Sequence, residues 1–186
     1  MRLDVLAEPT AAIGPLSDAR ALRPGDQEVT LMLATALVSA SMHDDAAQLL
    51  RDAIKEHGGK RSRALSILQR RMAAVLAAQG DHASELAWLL AAFESHPQSG
   101  EVAKALADVA LARGEDDLAG RALRAITLMR DGVPMPRADA YARLGEIAAR
   151  QGDARKAVTL ARKALSEDPD NALARGLVAS LEAAPV

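Results

Sequence analysis

Cysteine is absent from this 186-residue chain, which excludes a disulfide framework, a thiol nucleophile and a thiolate metal site while leaving the redox compartment open. Aromatic residues are almost as scarce. Trp88, Phe93 and Tyr141 are the only three, too few for a platform on which bases could stack. Excess charge of one sign is missing too: the net charge is −2, so no global field draws the chain to nucleic acid. Long apolar runs are also lacking. The longest stretch without a charge or histidine, Val29 to Met42, falls short of the roughly 20 residues that span a bilayer. The N-terminus, Met-Arg-Leu-Asp-Val-Leu-Ala-Glu, is interrupted by acids and has no apolar core of a secretory signal. A cytoplasmic location, or a place in the soluble part of a larger protein, is therefore expected. Arginine outnumbers lysine 18 to 5 in an alanine-rich chain, which hints by composition at a GC-rich bacterial genome.

What is abundant is helix-forming. The chain holds 42 Ala and 26 Leu and is poor in β-branched and aromatic residues, which argues for helices and against a sheet. Gly80-Asp81, Gly114-Glu115 and Gly152-Asp153 each fall between two apolar-periodic segments, where glycine can end one helix before the next begins. Longer breaks stand at Pro24-Gly25-Asp26, Gly58 to Arg63, Pro97 to Gly100, Gly132 to Pro136 and Asp168 to Asn171. Within segments the spacing is helical, as in Leu86, Leu89, Leu90 and Phe93. The expected helix pairs are 27–40 with 44–57, 62–78 with 82–96, 100–113 with 116–130, and 137–150 with 154–167. A single helix over 171–183 follows them.

The three turn glycines recur at intervals of 34 and 38 residues, the period of helix-turn-helix solenoids. The segment Tyr141-x2-Leu144-Gly145-x2-Ala148, then Ala157-x3-Ala161, Ala164 and Asp168-Pro169, resembles a tetratricopeptide repeat (TPR). It departs from the family pattern at Ala148 and Ala161, where large aromatic residues are usual, so tighter packing is expected. The same frame places an apolar residue before a small one on each first helix: Leu33-Ala34, Met72-Ala73, Leu106-Ala107, Leu144-Gly145 and Val178-Ala179. Small side chains there let the helices of a hairpin cross closely. Second helices answer with Ala46, Ala119 and Ala157, while the second repeat has Glu85 instead. We expect that helix to be rotated so that Ala87 makes the contact, the alternative being a paired or solvated Glu85 at the hairpin mouth.

The resemblance implies an all-α, right-handed α-solenoid of about four repeats, near 27–60, 61–99, 100–136 and 137–171. A helix at 172–183 would cap it, and residues 1–24 would form an N-terminal cap or degenerate half repeat. Pro15 to Pro24 resembles the second half of such a repeat.

No catalytic constellation is visible, and no cofactor or metal site is expected. His43, His57, His82 and His96 fall on turns or helix ends and read as solvated residues; none forms a helical zinc pair. The family's usual binding surface is the groove lined by first helices. Carried over residue by residue, it would present Leu31, Thr35 and Val38, then Ile67, Arg70, Arg71 and Ala74, then Lys104, Asp108 and Leu111, then Ala142, Arg143 and Glu146. The positions that grip chaperone C-termini in some members hold Leu31, Thr35, Arg71, Glu101 and Ala105 here, so that carboxylate clamp is absent. Leu31 and Val38 could equally be covered by residues 1–24. Lys60, Arg61 and Arg63 belong to a stretch, Lys55 to Arg71, with six basic residues against one acid, which reads as a solvated cluster or a contact for an acidic partner segment. The Gly58–Arg63 loop is expected to project. The expected function is a non-catalytic interaction module that holds a peptide or helix of a partner protein; the alternative is a self-associating scaffold.

Overall fold

The computed structural model describes residues 9–130 and 134–182. Residues 1–8 of the expected cap, Gly132 and Val133 of the fourth long break, and Ala183 lie outside these. Ten helices and no strand are found among the described residues, and the chain divides into two compact units at His96 and Pro97. The first unit contains α1 (Pro9–Leu22), α2 (Gln27–Ser39), α3 (His43–Glu56), α4 (Arg63–Ala78) and α5 (His82–Ser95). The second contains α6 (Gly100–Ala112), α7 (Asp116–Leu128), α8 (Arg137–Arg150), α9 (Ala154–Glu167) and α10 (Ala172–Glu182). Within each unit every helix packs on the next, and α2 also meets α4 as α8 meets α10. This is the packing of stacked helical hairpins expected from the sequence.

The four hairpin turns are built alike. Met42, Asp81, Glu115 and Asp153 each donate a backbone N–H to a carbonyl five residues earlier, Leu37, Leu76, Ala110 and Ala148, at 2.8, 2.9, 2.8 and 2.9 Å. That wrap requires a left-handed residue just before the donor, and Gly80, Gly114 and Gly152 take it at φ 79, 73 and 80°. In the first hairpin the position falls to Ser41 at φ 62°, so its side chain carries a steric cost that glycine avoids. Ser41→Gly is expected to stabilise the protein by about 0.5–1 kcal/mol, read as a higher urea midpoint at unchanged slope. An unchanged or lower midpoint would show that Ser41 is not strained.

The starts of several helices are closed by side chains. Asp26, Ser62, Asp81, Ser99 and Asp153 accept N–H donors from the first turns of α2, α4, α5, α6 and α9. At Asp81 the hydrogen bond with the Ser84 side chain, followed by that from the Ser84 backbone, holds the carboxyl pKa below its ordinary value. The stabilisation from this cap is in place above the unfolded pKa and is lost as pH falls through the lower folded one.

The helix crossings use the small residues identified in the sequence. Leu33-Ala34, Met72-Ala73, Leu106-Ala107 and Leu144-Gly145 are buried, and Ala46, Ala119 and Ala157 meet them with no exposed surface. Gly145 shows why size matters: a Cβ there would lie 3.3 Å from the Ala157 carbonyl oxygen and 3.2 Å from Leu177 Cδ1. The fifth pair departs. Val178 is half-buried and Ala179 exposed, because no described helix follows α10 to pack against it.

One further expectation is corrected. Helix α5 is not rotated, for Ala87 is exposed while Glu85 is partly buried and bonded to His82 Nδ1 at 3.0 Å, the paired arrangement at the hairpin mouth. The segment Pro15 to Pro24, read as the second half of a repeat, belongs to a helix that begins at Pro9, with Pro15 inside it. That helix packs on α2, placing Ile13 and Leu16 against the core built from Leu33, Leu37, Leu50 and Met72. Arg20 also reaches α3, its Nη2 donating to Glu56 Oε2 at 2.9 Å.

Candidate functional site

The expected groove residues of the first unit lie on α2 and α4. On α2, Glu28, Leu31, Met32 and Thr35 fall at a spacing of three and four and so share one face. Opposite them, Ile67 and Arg71 are one turn apart on α4. Together with Gln27 these residues line a single depression of about 410 Å³. Leu31 and Ile67 are half-buried, while Met32 keeps 40% of its surface exposed. None of the described α1 side chains lines the depression. Leu31 and Val38, like Ile13 and Leu16 of α1, pack partly buried against the same core, and of the two only Leu31 borders the depression. Arg70 is half-buried and Ala74 exposed; neither lines the depression.

Sequence reasoning singled out Leu31, Thr35, Ile67 and Arg71 and missed Gln27, Glu28 and Met32. The signal for Glu28 and Met32 was present as the helical stripe through Leu31 and Thr35.

The lining surface is mostly apolar, and two of its four polar side chains are engaged within the protein. Thr35 Oγ1 donates to the Leu31 carbonyl at 2.7 Å, and Gln27 Nε2 donates to the Ala64 carbonyl at 2.8 Å. Arg71 is the charged group of the α4 wall. Burial first, and repulsion from Arg70 second, hold its pKa below the ordinary arginine value.

In the second unit, Lys104 and Asp108 face each other along α6 and form an ion pair of 2.6 Å, so each answers the other's charge. Arg143 and Glu146 are half-buried on α8. Ala142 is not on an open face: it is fully buried with Ala161, Ala164 and Ala174, because α10 packs over that side of α8. Tyr141 lies beside this cluster, with Lys163 Nζ 5.8 Å from its ring centre.

The basic loop leaves α3 through Gly58 and Gly59, both at φ 74°, and exposes Lys60 and Arg61, with Arg63 exposed at the start of α4. Its base is closed by Ser62, whose Oγ accepts from Leu65 N at 3.0 Å and bonds His57 Nε2 at 3.1 Å. The acid of this stretch, Glu56, is taken by Arg20.

The histidines stand at helix ends as expected; His82 is exposed, while His43, His57 and His96 are half-buried, and the Nδ1 atoms of His43 and His57 are buried without a partner among the described residues. No group of residues suited to a metal ion occurs among the described residues, and no helix there is long and apolar enough to cross a membrane.

Stacked helical hairpins with small residues at their crossings define a helical-hairpin repeat fold like that of TPR proteins. Comparison with known proteins agrees, since residues 138–171 match the family model described as tetratricopeptide repeat. No curated protein matches the chain. Among solved structures, the TPR protein YrrB is similar at a TM-score of 0.61 and 21% identity, covering 94% of this chain and 85% of its own. MamA is similar at a TM-score of 0.63 and 18% identity, covering 98% and 91%. The thermophilic TPR protein TTC0263 of Thermus thermophilus is similar at 0.51 and 19% identity, covering 97% and 94%. At these identities the likeness is one of fold.

Proposed function

We propose that the chain is a non-catalytic adaptor whose first unit holds a segment of a partner protein between α2 and α4. The observation that carries this reading is the depression flanked by Leu31, Met32 and Ile67, apolar surface that the described residues leave uncovered. YrrB, solved as a TPR protein with an unusual peptide-binding site, lends the reading support by analogy of fold. A preformed helical face can bind without ordering cost on its own side, so modest contacts suffice. The exposed Lys60, Arg61 and Arg63 would add a salt-sensitive contact to any acidic stretch of the same partner. Lys104, Asp108, Arg143 and Glu146 are proposed as a secondary contact face of the second unit.

A photo-crosslinking residue at position 32 tests the proposal in the native host. The expected result is a discrete adduct with a different protein, lost when Leu31 is changed to Glu and not formed from the exposed position 128. Adducts only with a second copy of the chain would favour the self-associating scaffold, and no adduct from position 32 would overturn the groove reading. If the basic loop takes part, raising salt from about 0.05 to about 0.5 M, values spanning roughly a threefold change in screening length, should weaken the complex about tenfold. Replacing Lys60, Arg61 and Arg63 together by Gln should remove most of that dependence.

A further inference from the structure

The wall of the α2–α4 depression carries a charge that the protein itself does not answer. Several arginines and lysines on helix faces have acids: Lys104 has Asp108, Arg137 has Glu167, and Arg150 has Asp116 at 2.5 Å. At Arg150 the hydrogen bond to Asp116 outweighs burial and raises the pKa. Arg71 shows the opposite balance, lowered by burial and by Arg70 with no carboxylate raising it, and it makes no ion pair among the described residues. Glu28 lines the same depression from α2 without bonding to it.

A guanidinium offers five donors in a planar fork that matches a carboxylate. Here the fork is already partly out of water, so an arriving anion regains hydrogen bonds that burial removed. The surroundings restrict which anion fits. Leu31, Met32 and Ile67 favour an apolar side chain alongside, and Glu28 disfavours a segment that is acidic throughout. A chain-end carboxylate would also bring main-chain groups into the depression, where the Gln27 amide and the Thr35 hydroxyl are already engaged. A side-chain carboxylate reaches Arg71 while its own backbone stays in solvent.

Resting on the reading of this face as the partner site, we infer that the segment it holds presents one Asp or Glu side chain to Arg71, next to an aliphatic or aromatic side chain that fills the space between Leu31, Met32 and Ile67. Arg71 is then the specificity-determining residue of the site, and the apolar trio supplies the remainder of the grip.

The test is selection of a random 12-residue peptide library, displayed with blocked C-termini, on the full chain and in parallel on Arg71→Gln and Leu31→Glu. Far-UV circular dichroism and thermal midpoints confirm that each variant is folded, and Met32→Asn, at an exposed position, replaces Leu31→Glu if that one is not. The expected pool on the native chain pairs an acid with Leu, Ile, Met or Phe within two positions, and its members bind Arg71→Gln about tenfold more weakly. Converting the selected acid to its amide should cost the native chain the same factor and Arg71→Gln nothing. A pool without acids that binds native chain and Arg71→Gln alike, yet is lost on Leu31→Glu, overturns the inference and leaves the groove reading standing. A pool indifferent to Leu31→Glu and Met32→Asn, or none at all, overturns both.

Discussion

Leu123→Ala is expected to lower the stability of the second unit by about 3 kcal/mol, within the range of about 2–5 kcal/mol for truncating a buried leucine. Leu123 has no exposed surface and is surrounded along α7 by Ala119, Ala122 and Ile126, which are equally buried. Alanine neighbours have no side-chain length with which to close the space. The cost should therefore include a cavity term as well as lost transfer energy. Urea unfolding followed by circular dichroism, with the single tryptophan Trp88 reporting separately on the first unit, measures it. A loss below about 1 kcal/mol would mean that α7 collapses onto the gap, contrary to the close packing described.

Gly145→Leu should be at least as damaging, at about 3 kcal/mol or more, through overpacking rather than a void. The first carbon of any side chain at this position meets Leu177 Cδ1 at 3.2 Å, Ala157 O at 3.3 Å and Ala161 N at 3.6 Å. Leu177 can turn aside, but the other two atoms are backbone of α9. Gly145→Ala provides the contrast. Its helix-propensity gain of about 1 kcal/mol opposes the tight contact, so a net change within about 1 kcal/mol is expected. Equal stability of the leucine variant and the native chain would show that α8 and α9 do not cross at Gly145.

The hairpin boundaries were legible because glycine, proline and capping residues mark them chemically. The Ser41 turn carries no such mark. Serine reaches the left-handed region only because the hydrogen bonds of the hairpin hold it there, and local propensity does not report that. Helix α1 was half legible: Pro15 to Pro24 resembles the second half of a repeat, yet the helix that carries it begins at Pro9 and runs through Pro15. Glu85 was misjudged because an unpaired buried acid was weighed without His82, three residues earlier on the same face.

For the candidate site, periodicity named the faces but not their covering. Ala142 and Leu31 occupy comparable faces of first helices, yet one is sealed beneath α10 and the other borders open space. Which of two equivalent faces is covered depends on the neighbouring helix, and no pattern within the covered helix encodes it. Charge was similar: Lys104, Arg143 and Arg71 look alike in sequence, and only the structure separates the lysine paired with Asp108 from the half-buried arginine without an acid.

The most direct measurement of the central claim is a methyl spectrum of the full chain, labelled at Ile, Leu and Met, titrated with the partner recovered by crosslinking from position 32. The account predicts that the methyl groups of Leu31, Met32 and Ile67 shift first and furthest. Shifts confined to Leu173, Leu177 and Leu181 on α10, or saturation that leaves Leu31, Met32 and Ile67 unmoved, would contradict it.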